Sequence, residues 1–294
     1  MSAPFLSDYA QYARKRLTVA GLTASPPLVS VITVSLDAAK TIERTIRSVQ
    51  DQSFASIEHI FVDGGSSDDT LAIIKRSARR QDHWISEPDK GISDAFNKGI
   101  ALSRGTYVQI LNADDWLSPN QIERGMSSLQ HSRAEFVFGN LIFYENDKPA
   151  FHYAGDPHYA RAIHRRWPSV AHPTMLVARR AFERIGLFDP AYRNAMDYDW
   201  LLRLHCAGGK GVYCPDLCAH MTHEGVSNRS FARTIDEVKK IVVAHGRNPL
   251  VAEAEARMRY IKTSAAQPIK RHLQPLYRLV RRTINASYKP IAVS

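Results

Sequence analysis

The stretch Leu28-Val-Ser-Val-Ile-Thr-Val-Ser-Leu36 constrains the fold more than any other part of the chain. Its β-branched residues run almost without interruption, whereas a strand with one wet face alternates apolar and polar side chains. Such a run is expected in a sheet covered on both faces, the situation of a parallel sheet. Helical and strand-like segments then alternate. Ile42, Ile46 and Val49 share a helical face and predict a helix over residues 41–49, followed by a strand over 57–62 and a helix around 71–78. The same pattern gives a helix over 92–102, a strand over 107–111, and a helix over 119–129 with Ser118 as its cap and Pro119 at its first position. Repeated β-α-β units imply right-handed crossovers. They predict an α/β fold with a mostly parallel central sheet and helices on both faces.

The pattern changes in the middle of the chain. Phe136-Val-Phe-Gly-Asn-Leu-Ile-Phe-Tyr144, followed by Glu145-Asn-Asp-Lys148, predicts a strand pair or one long bent strand ending in a turn. A strand is expected over 173–178, and a helix over 197–206 with Trp200, Leu201 and Leu204 on one face. After Ser230 the sequence is helical and polar, with Val238, Ile241 and Val242 on one side. The expected organisation is a lead-in over residues 1–27, with a short amphipathic stretch at 9–17, a core domain over 28–228, and a basic helical extension over 229–294.

Composition narrows the class. With 44% hydrophobic and 23% charged residues, the 294-residue chain suits a soluble globular protein. No apolar run approaches the ~20 residues needed to cross a bilayer. Three cysteines, Cys206, Cys214 and Cys218, and the absence of a visible signal peptide point to a reducing, cytoplasmic location. Cys214 and Cys218 lack companion ligands for a zinc site and are expected to be buried packing residues. Much of the net charge of +10 falls late, in Lys270-Arg-His-Leu-Gln-Pro-Leu-Tyr-Arg-Leu-Val-Arg-Arg282. That segment suits either a basic amphipathic helix at an anionic lipid surface, at the inner face of the cytoplasmic membrane, or a solvated basic face. No recognition motif for nucleic acid accompanies the charge, and none is expected to bind.

In a parallel α/β sheet, ligands bind beyond the carboxyl ends of the strands. Two acidic clusters stand there: Asp63-Gly-Gly-Ser-Ser-Asp-Asp69 and Leu111-Asn-Ala-Asp-Asp-Trp116. Ser66, Ser67 and Asp68 can cap the helix that follows, but Asp63 ends its strand and is expected to point into the crevice as a ligand contact. Adjacent carboxylates at Asp114 and Asp115 repel each other, and a hard divalent cation, Mg²⁺ or Mn²⁺, is the natural compensation. A turn with Asp115 as a helix cap is the alternative.

Between the clusters lies Asp89-Lys-Gly-Ile-Ser-Asp-Ala-Phe-Asn-Lys-Gly99. The order Val29-Ser-Val-Ile-Thr-Val34, Asp63-Gly-Gly-Ser-Ser-Asp68, Asp89 to Gly99 and Asn112-Ala-Asp-Asp115 resembles family 2 glycosyltransferases of the GT-A fold, over roughly residues 27–228. It is most similar to the bacterial branch that builds exopolysaccharide and lipopolysaccharide O-chains. The resemblance implies a nucleotide diphosphate sugar donor, usually of uridine, with Asp63 on the base and Asp94, Asn97, Lys98, Asn112 and Asp114 lining the donor side. It places Asp114 and Asp115 at a divalent metal, with His223 or His220 near metal or phosphate beside Glu224-Gly-Val-Ser227. Asn112 replaces the usual first Asp of the metal motif.

Ala195-Met-Asp-Tyr-Asp-Trp-Leu-Leu-Arg203 resembles the family segment that carries the catalytic base, with Met196 in place of the usual Glu. An acceptor hydroxyl must lose its proton as it attacks the anomeric carbon, so the base is assigned to Asp197, with Asp199 as the fallback. Ala171-His-Pro-Thr174 resembles a His-Pro segment near the acceptor; His172 there, and Trp167 within the His-, Arg- and aromatic-rich stretch 151–169, either line an acceptor groove or belong to packed loops. Lys98 and Arg203 pair with phosphate or with the carboxylates. The expected reaction is an inverting transfer to a hydroxyl of a glycan or lipid-linked acceptor in cell-surface polysaccharide assembly. A catalytically weak or dead relative that binds glycans or a membrane surface is the alternative, since Asn112 and Met196 depart from the family pattern. A nucleotide-binding oxidoreductase would need Gly-x-Gly-x-x-Gly after the first strand, and Ser35-Leu-Asp-Ala-Ala-Lys40 lacks it.

Overall fold

The computed structural model describes residues 8–13, 26–164, 170–222, 231–272 and 288–290. Strand β1 (Val29–Ser35) is buried at every residue. It runs parallel between β2 (Ile57–Asp63) and β4 (Tyr107–Asn112), and β3 (His83–Ser86) extends the parallel set beyond β2. Both faces of β1 are covered. Ile32 and Val34 pack with Phe96 and Ile100 of α3 (Ile92–Leu102). Val29 and Val31 pack instead with Val49 of α1 (Ile42–Gln50) and with Ile122, Met126 and Leu129 of α4 (Gln121–Gln130). Gly99 lets α3 approach this closely, because a Cβ there would stand 2.3 Å from Cγ2 of Ile32.

Beyond β4 the sheet becomes mixed. Strand β8 (Leu176–Ala178) runs antiparallel to β4, β6 (Phe136–Glu145) antiparallel to β8, and β7 (Lys148–Tyr153) antiparallel to β6. Strand β10 (Tyr288–Pro290) closes this edge against β7. The turn between β6 and β7 has Asn146 and Asp147 at φ of 50° and 58°, the left-handed pair that a two-residue hairpin requires.

Several boundaries differ from the sequence expectation for identifiable reasons. Helix α4 starts after Ser118 and Pro119, because their carbonyls accept hydrogen bonds from Gln52 Nε2 at 2.8 Å and Ser53 N at 3.0 Å. Residues 172–174 form a 3₁₀ turn rather than the start of a strand, held by the Thr174 hydroxyl donating to Ala171 O at 2.7 Å. The long strand β9 (Gly211–Thr222) has no clean sequence signal, since Pro215 and Asp216 interrupt it where its pairing with β6 shifts register. It pairs parallel to β6 and antiparallel to the short β5 (Trp116–Leu117). Helix α2 (Thr70–Ser77) follows β2 as expected, and the short helices α5 (Tyr159–Ala162) and α6 (Arg179–Ile185) stand on either side of the 3₁₀ turn in the chain. Cys214 and Cys218 are half-buried rather than fully buried, with Cys214 packed against the core, and Cys206 is exposed. Among the described residues, no helix is long and apolar enough to cross a membrane.

The segments flanking the core dock onto it. Ile241 and Val242 of α8 (Phe231–Ala244) join the same apolar cluster as Trp200 and Leu204 of α7 (Met196–Cys206). Helix α9 (Pro249–His272) folds back on α8, with Lys239 bridging to Glu253 at 3.1 Å. At the other end, Tyr9 and Tyr12 donate hydrogen bonds to Asp94 at 2.5 Å and Glu87 at 2.9 Å.

Two histidines are held neutral by burial. His59, in β2, pairs Nε2 with the Thr33 hydroxyl at 2.8 Å and has no partner at Nδ1. Burial pushes it from its ordinary 6.5 down to about 3. Burial, with Arg44 nearby, pushes His220 down to about 4. As pH falls below about 6.5 the unfolded chain takes up these protons and the folded chain does not. Stability is therefore full above that pH and declines toward the folded values, by at most about 1.4 kcal/mol per pH unit per histidine. Denaturant titrations at neutral pH and near pH ~5 are expected to show a falling midpoint, and His59→Gln is expected to flatten that slope.

Candidate active site

The crevice is built where β1, β2 and β4 end together. Register pairs Ser35 with Asp63 and Val34 with Asn112, so the two acidic clusters flank the end of β1. Asp63 itself is sealed, with 0% exposure. Its Oδ1 accepts from the hydroxyls of Ser35 at 3.2 Å and Ser66 at 2.5 Å. Its Oδ2 accepts from Gly65 N at 3.2 Å, Ser66 N at 3.0 Å and the Ser86 hydroxyl at 2.7 Å. Both oxygens are engaged in shaping the loop, not exposed at an open crevice. Asp68 ties that loop back to the start of α1, accepting from Ala39 N at 3.0 Å and Thr70 N at 2.9 Å. Leu36, just beyond β1, is 62% exposed, and an added Cβ on Gly64 would lie 3.5 Å from its Cδ1. Sequence patterning gives no hint of this exposed apolar side chain at the crevice mouth.

Helix α3 presents Asp94, Asn97 and Lys98, and all three are engaged internally. Asn97 is 0% exposed and clamps the backbone of Phe188, donating to its carbonyl at 2.9 Å and accepting from its N–H at 3.0 Å. The Lys98 ammonium sits among Glu87 at 3.1 Å, Asp94 at 3.3 Å and the Pro88 carbonyl at 3.2 Å. Burial alone would raise the Asp94 carboxyl, but the Tyr9 hydroxyl, the Lys90 N–H and the Lys98 ammonium together hold it below its usual value. These contacts lock the loop 87–94 against the helix.

The second cluster divides its two carboxylates. Asp115 is 0% exposed, and burial, reinforced by the charge of Asp114, pushes its carboxyl well above its ordinary value. Asn112 Nδ2 donates to Asp115 Oδ2 at 3.3 Å, while Asn112 Oδ1 and Asp115 Oδ1 have no hydrogen-bond partner. Asp115 is thus the more buried of the two adjacent carboxylates. Asp114 is half-exposed and accepts from the Thr222 hydroxyl at 3.3 Å. Among the described residues, no three His, Cys, Asp or Glu side chains converge to hold a metal ion. One accessible carboxylate still fits a Mg²⁺ or Mn²⁺ that takes the rest of its shell from a diphosphate and water.

The wall behind this cluster is an aromatic stack. The Arg44 guanidinium lies 3.6 Å from the Trp116 ring centroid, and His220 stacks on Trp116 at 5.2 Å with planes 8° apart. His220 Nε2 lies 2.9 Å from the Ser118 hydroxyl, and its Nδ1 has no hydrogen-bond partner. His223, the loop 224–227 and Trp167 lie outside the described residues.

Asp197 and Asp199 separate cleanly. Two positions apart on α7, they point to different sides of the helix. Asp199 is 4% exposed and accepts from Arg203 Nε at 2.8 Å, while Arg203 also donates to the carbonyls of Ile185 and Leu187. The Arg203 guanidinium thus ties Asp199 to the backbone of residues 185–187. Asp197 keeps 28% of its side chain exposed, accepts from Tyr198 N at 2.8 Å, and has Oδ2 3.5 Å from Nδ1 of His172. The two line one cavity with Phe96, Phe188 and Trp200. The structure thus unites His172 with Asp197 across 25 residues of sequence.

Sequence reasoning missed the group that seats α7. Glu237 of α8, 6% exposed, accepts from the N–H groups of Arg193 at 3.1 Å, Asn194 at 2.8 Å and Ala195 at 3.0 Å. A carboxylate there satisfies donors at the positive end of the helix that carries Asp197. A lone Glu on a polar helix offers no sequence signal for this contact.

With this geometry in place, the chain's relatives can be read. Residues 30–186, more than half the chain, match the family "Glycosyl transferase family 2", and the chain belongs to that family. It is a glycosyltransferase with a GT-A-like α/β fold. It is 28% identical over 182 residues to a "PGL/p-HBAD biosynthesis glycosyltransferase" of Mycobacterium bovis, covering 60% of this chain and 69% of that protein. It is 27% identical over 202 residues to the chondroitin synthase of Escherichia coli, covering 67% of this chain but 29% of the longer enzyme. The fold resembles a mannosyltransferase from Pyrobaculum calidifontis in complex with GDP-Man and Mn²⁺, with a TM-score of 0.62, 16% identity, and coverage of 95% of this chain and 84% of that one. It also resembles S. aureus TarS in complex with UDP-GlcNAc, with a TM-score of 0.57, 14% identity, and coverage of 78% and 70%.

Replacing Glu237 with Gln is expected to cost about 1–3 kcal/mol of stability, because three backbone donors, one of them buried, lose a charged acceptor. It is also expected to lower kcat more than it raises KM, by loosening the seat of Asp197. Denaturant unfolding and steady-state transfer kinetics measure the two effects.

Proposed function

We propose that this protein transfers a sugar, with inversion, from a uridine diphosphate sugar to a hydroxyl of a glycan or lipid-linked acceptor in cell-surface polysaccharide assembly. The observation that carries the reading is the pairing of a solvent-accessible Asp197 with His172 at 3.5 Å, above a cavity at the N-terminus of α7. A carboxylate placed there can take the acceptor proton.

The acceptor oxygen passes its proton to Asp197 as its bond to the anomeric carbon forms. The bond from that carbon to the diphosphate breaks on the opposite face, and the nucleoside diphosphate departs with the electron pair. His172 holds Asp197 in place through Nδ1. The loop shaped by Asp63, with Leu36 at its mouth, receives the nucleotide, and Asp114 faces the diphosphate. A divalent cation bound by Asp114 would supply electrostatic stabilisation of the leaving diphosphate. Mn²⁺ in the Pyrobaculum calidifontis complex supports that assignment. Nucleotide sugars in both structural neighbours support the donor class. Asn112 and Met196 leave a catalytically weak, glycan-binding relative as the second reading.

Asp197→Asn is expected to reduce transfer by ~10²–10⁴ while leaving donor affinity within about twofold of the parent. Full activity in that variant would remove the base from Asp197. Asp114→Asn is expected to weaken binding of UDP measured calorimetrically with Mn²⁺ present, and to change little in its absence. The configuration of the product, read by proton NMR of the new anomeric linkage, tests inversion directly.

A further inference from the structure

Helix α9 carries an apolar face that nothing among the described residues covers. Leu250 is 81% exposed, Ile261 62%, Met258 54% and Val251 42%, and Ala254 is exposed among them. At α-helical spacing these five positions fall within an arc of about 100°. The opposite side of the helix holds Ala252, 2% exposed, which belongs to the core cluster. The stripe therefore points away from the body of the protein.

Charge surrounds the stripe asymmetrically. Arg257, with 76% of its side chain exposed and its Nε paired to Glu253 at 2.7 Å, borders it on one side and the exposed Lys262 on the other. The acidic residues nearby are already engaged, Glu253 by Lys239 and Arg257 and Glu255 by Arg247. The rim is left net positive on a chain of net charge +10, and the sequence beyond adds Lys270, Arg271, Arg278, Arg281 and Arg282. Two copies meeting through this face would bring their basic rims together, whereas an anionic lipid surface matches the rim and receives the stripe. The stripe spans about 16 Å of helix, too short to cross a bilayer and suited to lying in its interface.

We infer that the Leu250–Ile261 face of α9 docks the protein onto an anionic membrane surface, with the helix lying in the interfacial plane. The inference deepens the proposed lipid-linked acceptor and rests on that reading for its purpose, but vesicle binding and donor chemistry are measured separately. The test is flotation of the full chain with phosphatidylcholine vesicles, with and without phosphatidylglycerol, alongside a Met258→Glu/Ile261→Glu variant. The parent is expected to float with the anionic vesicles and to be released as salt rises. The bound fraction of the variant is expected to fall roughly tenfold or more, with its melting temperature and its hydrolysis of UDP-sugar unchanged. A parent that ignores anionic vesicles, or a variant that binds them as well as the parent, overturns the inference. So does a parent that is a dimer by light scattering, binds no vesicles, and becomes monomeric on the same substitutions, which would assign the face to a second copy. Absence of donor hydrolysis in the parent would count against the transferase reading and leave the vesicle result intact.

Discussion

The Asp63 carboxylate, shut off from water and met by five hydrogen-bond donors, fastens the ends of three neighbouring strands to one another. Ser35 closes β1, Asp63 closes β2 and Ser86 closes β3, so one side chain fixes where the parallel sheet stops and the loops begin. A parallel sheet needs such a device, because its strands end in unsatisfied backbone groups on the edge where ligands bind. A buried carboxylate with fewer partners would carry a large desolvation cost, and here the hydroxyls and N–H groups of its own loop offset it.

The same logic recurs around the crevice. Glu237 gathers the N–H groups ahead of α7, and the Glu87, Asp94 and Lys98 cluster locks the loop before α3. Buried charges with complete sets of partners are consistent with a rigid wall, and the groups left accessible stand out against it. Asp114 and Asp197 keep contact with solvent, while Asp115 and Asp199 are drawn inward. Adjacent or nearly adjacent carboxylates thus have different surroundings and different chemistry. The flanking segments take part in this wall: Tyr9 and Tyr12 cover the Glu87 and Asp94 carboxylates, and α8 supplies Glu237.

The parallel half of the sheet was legible because its signals are local. The β-branched run of β1, the 3.6-residue spacing of α1 and the apolar pattern of α3 each need only a few consecutive residues to be read. Helix α3 matches its expected span of 92–102, and α1 and β4 fall within a residue of theirs. Strand β9 escaped because its pairing with β6 tolerates Pro215 and a register shift, which break the period-two pattern. Among site residues, the proximity of the two clusters at the strand ends followed from topology. Which oxygen faces solvent did not, because burial depends on partners far away in sequence, such as Ser86 for Asp63 and Glu237 for the start of α7.

Local sequence determined the order of strands and helices, the placement of acidic residues at the carboxyl edge of the sheet, and the motifs that mark the family. It could do so because hydrogen bonding within helices, strand propensity and turn chemistry act over short spans. Tertiary structure alone decided which carboxylates became structural and which remained available, the meeting of His172 with Asp197, and the outward turn of the apolar face of α9. Those outcomes are set by desolvation and by contacts between segments distant along the chain, and no window of neighbouring residues contains that information.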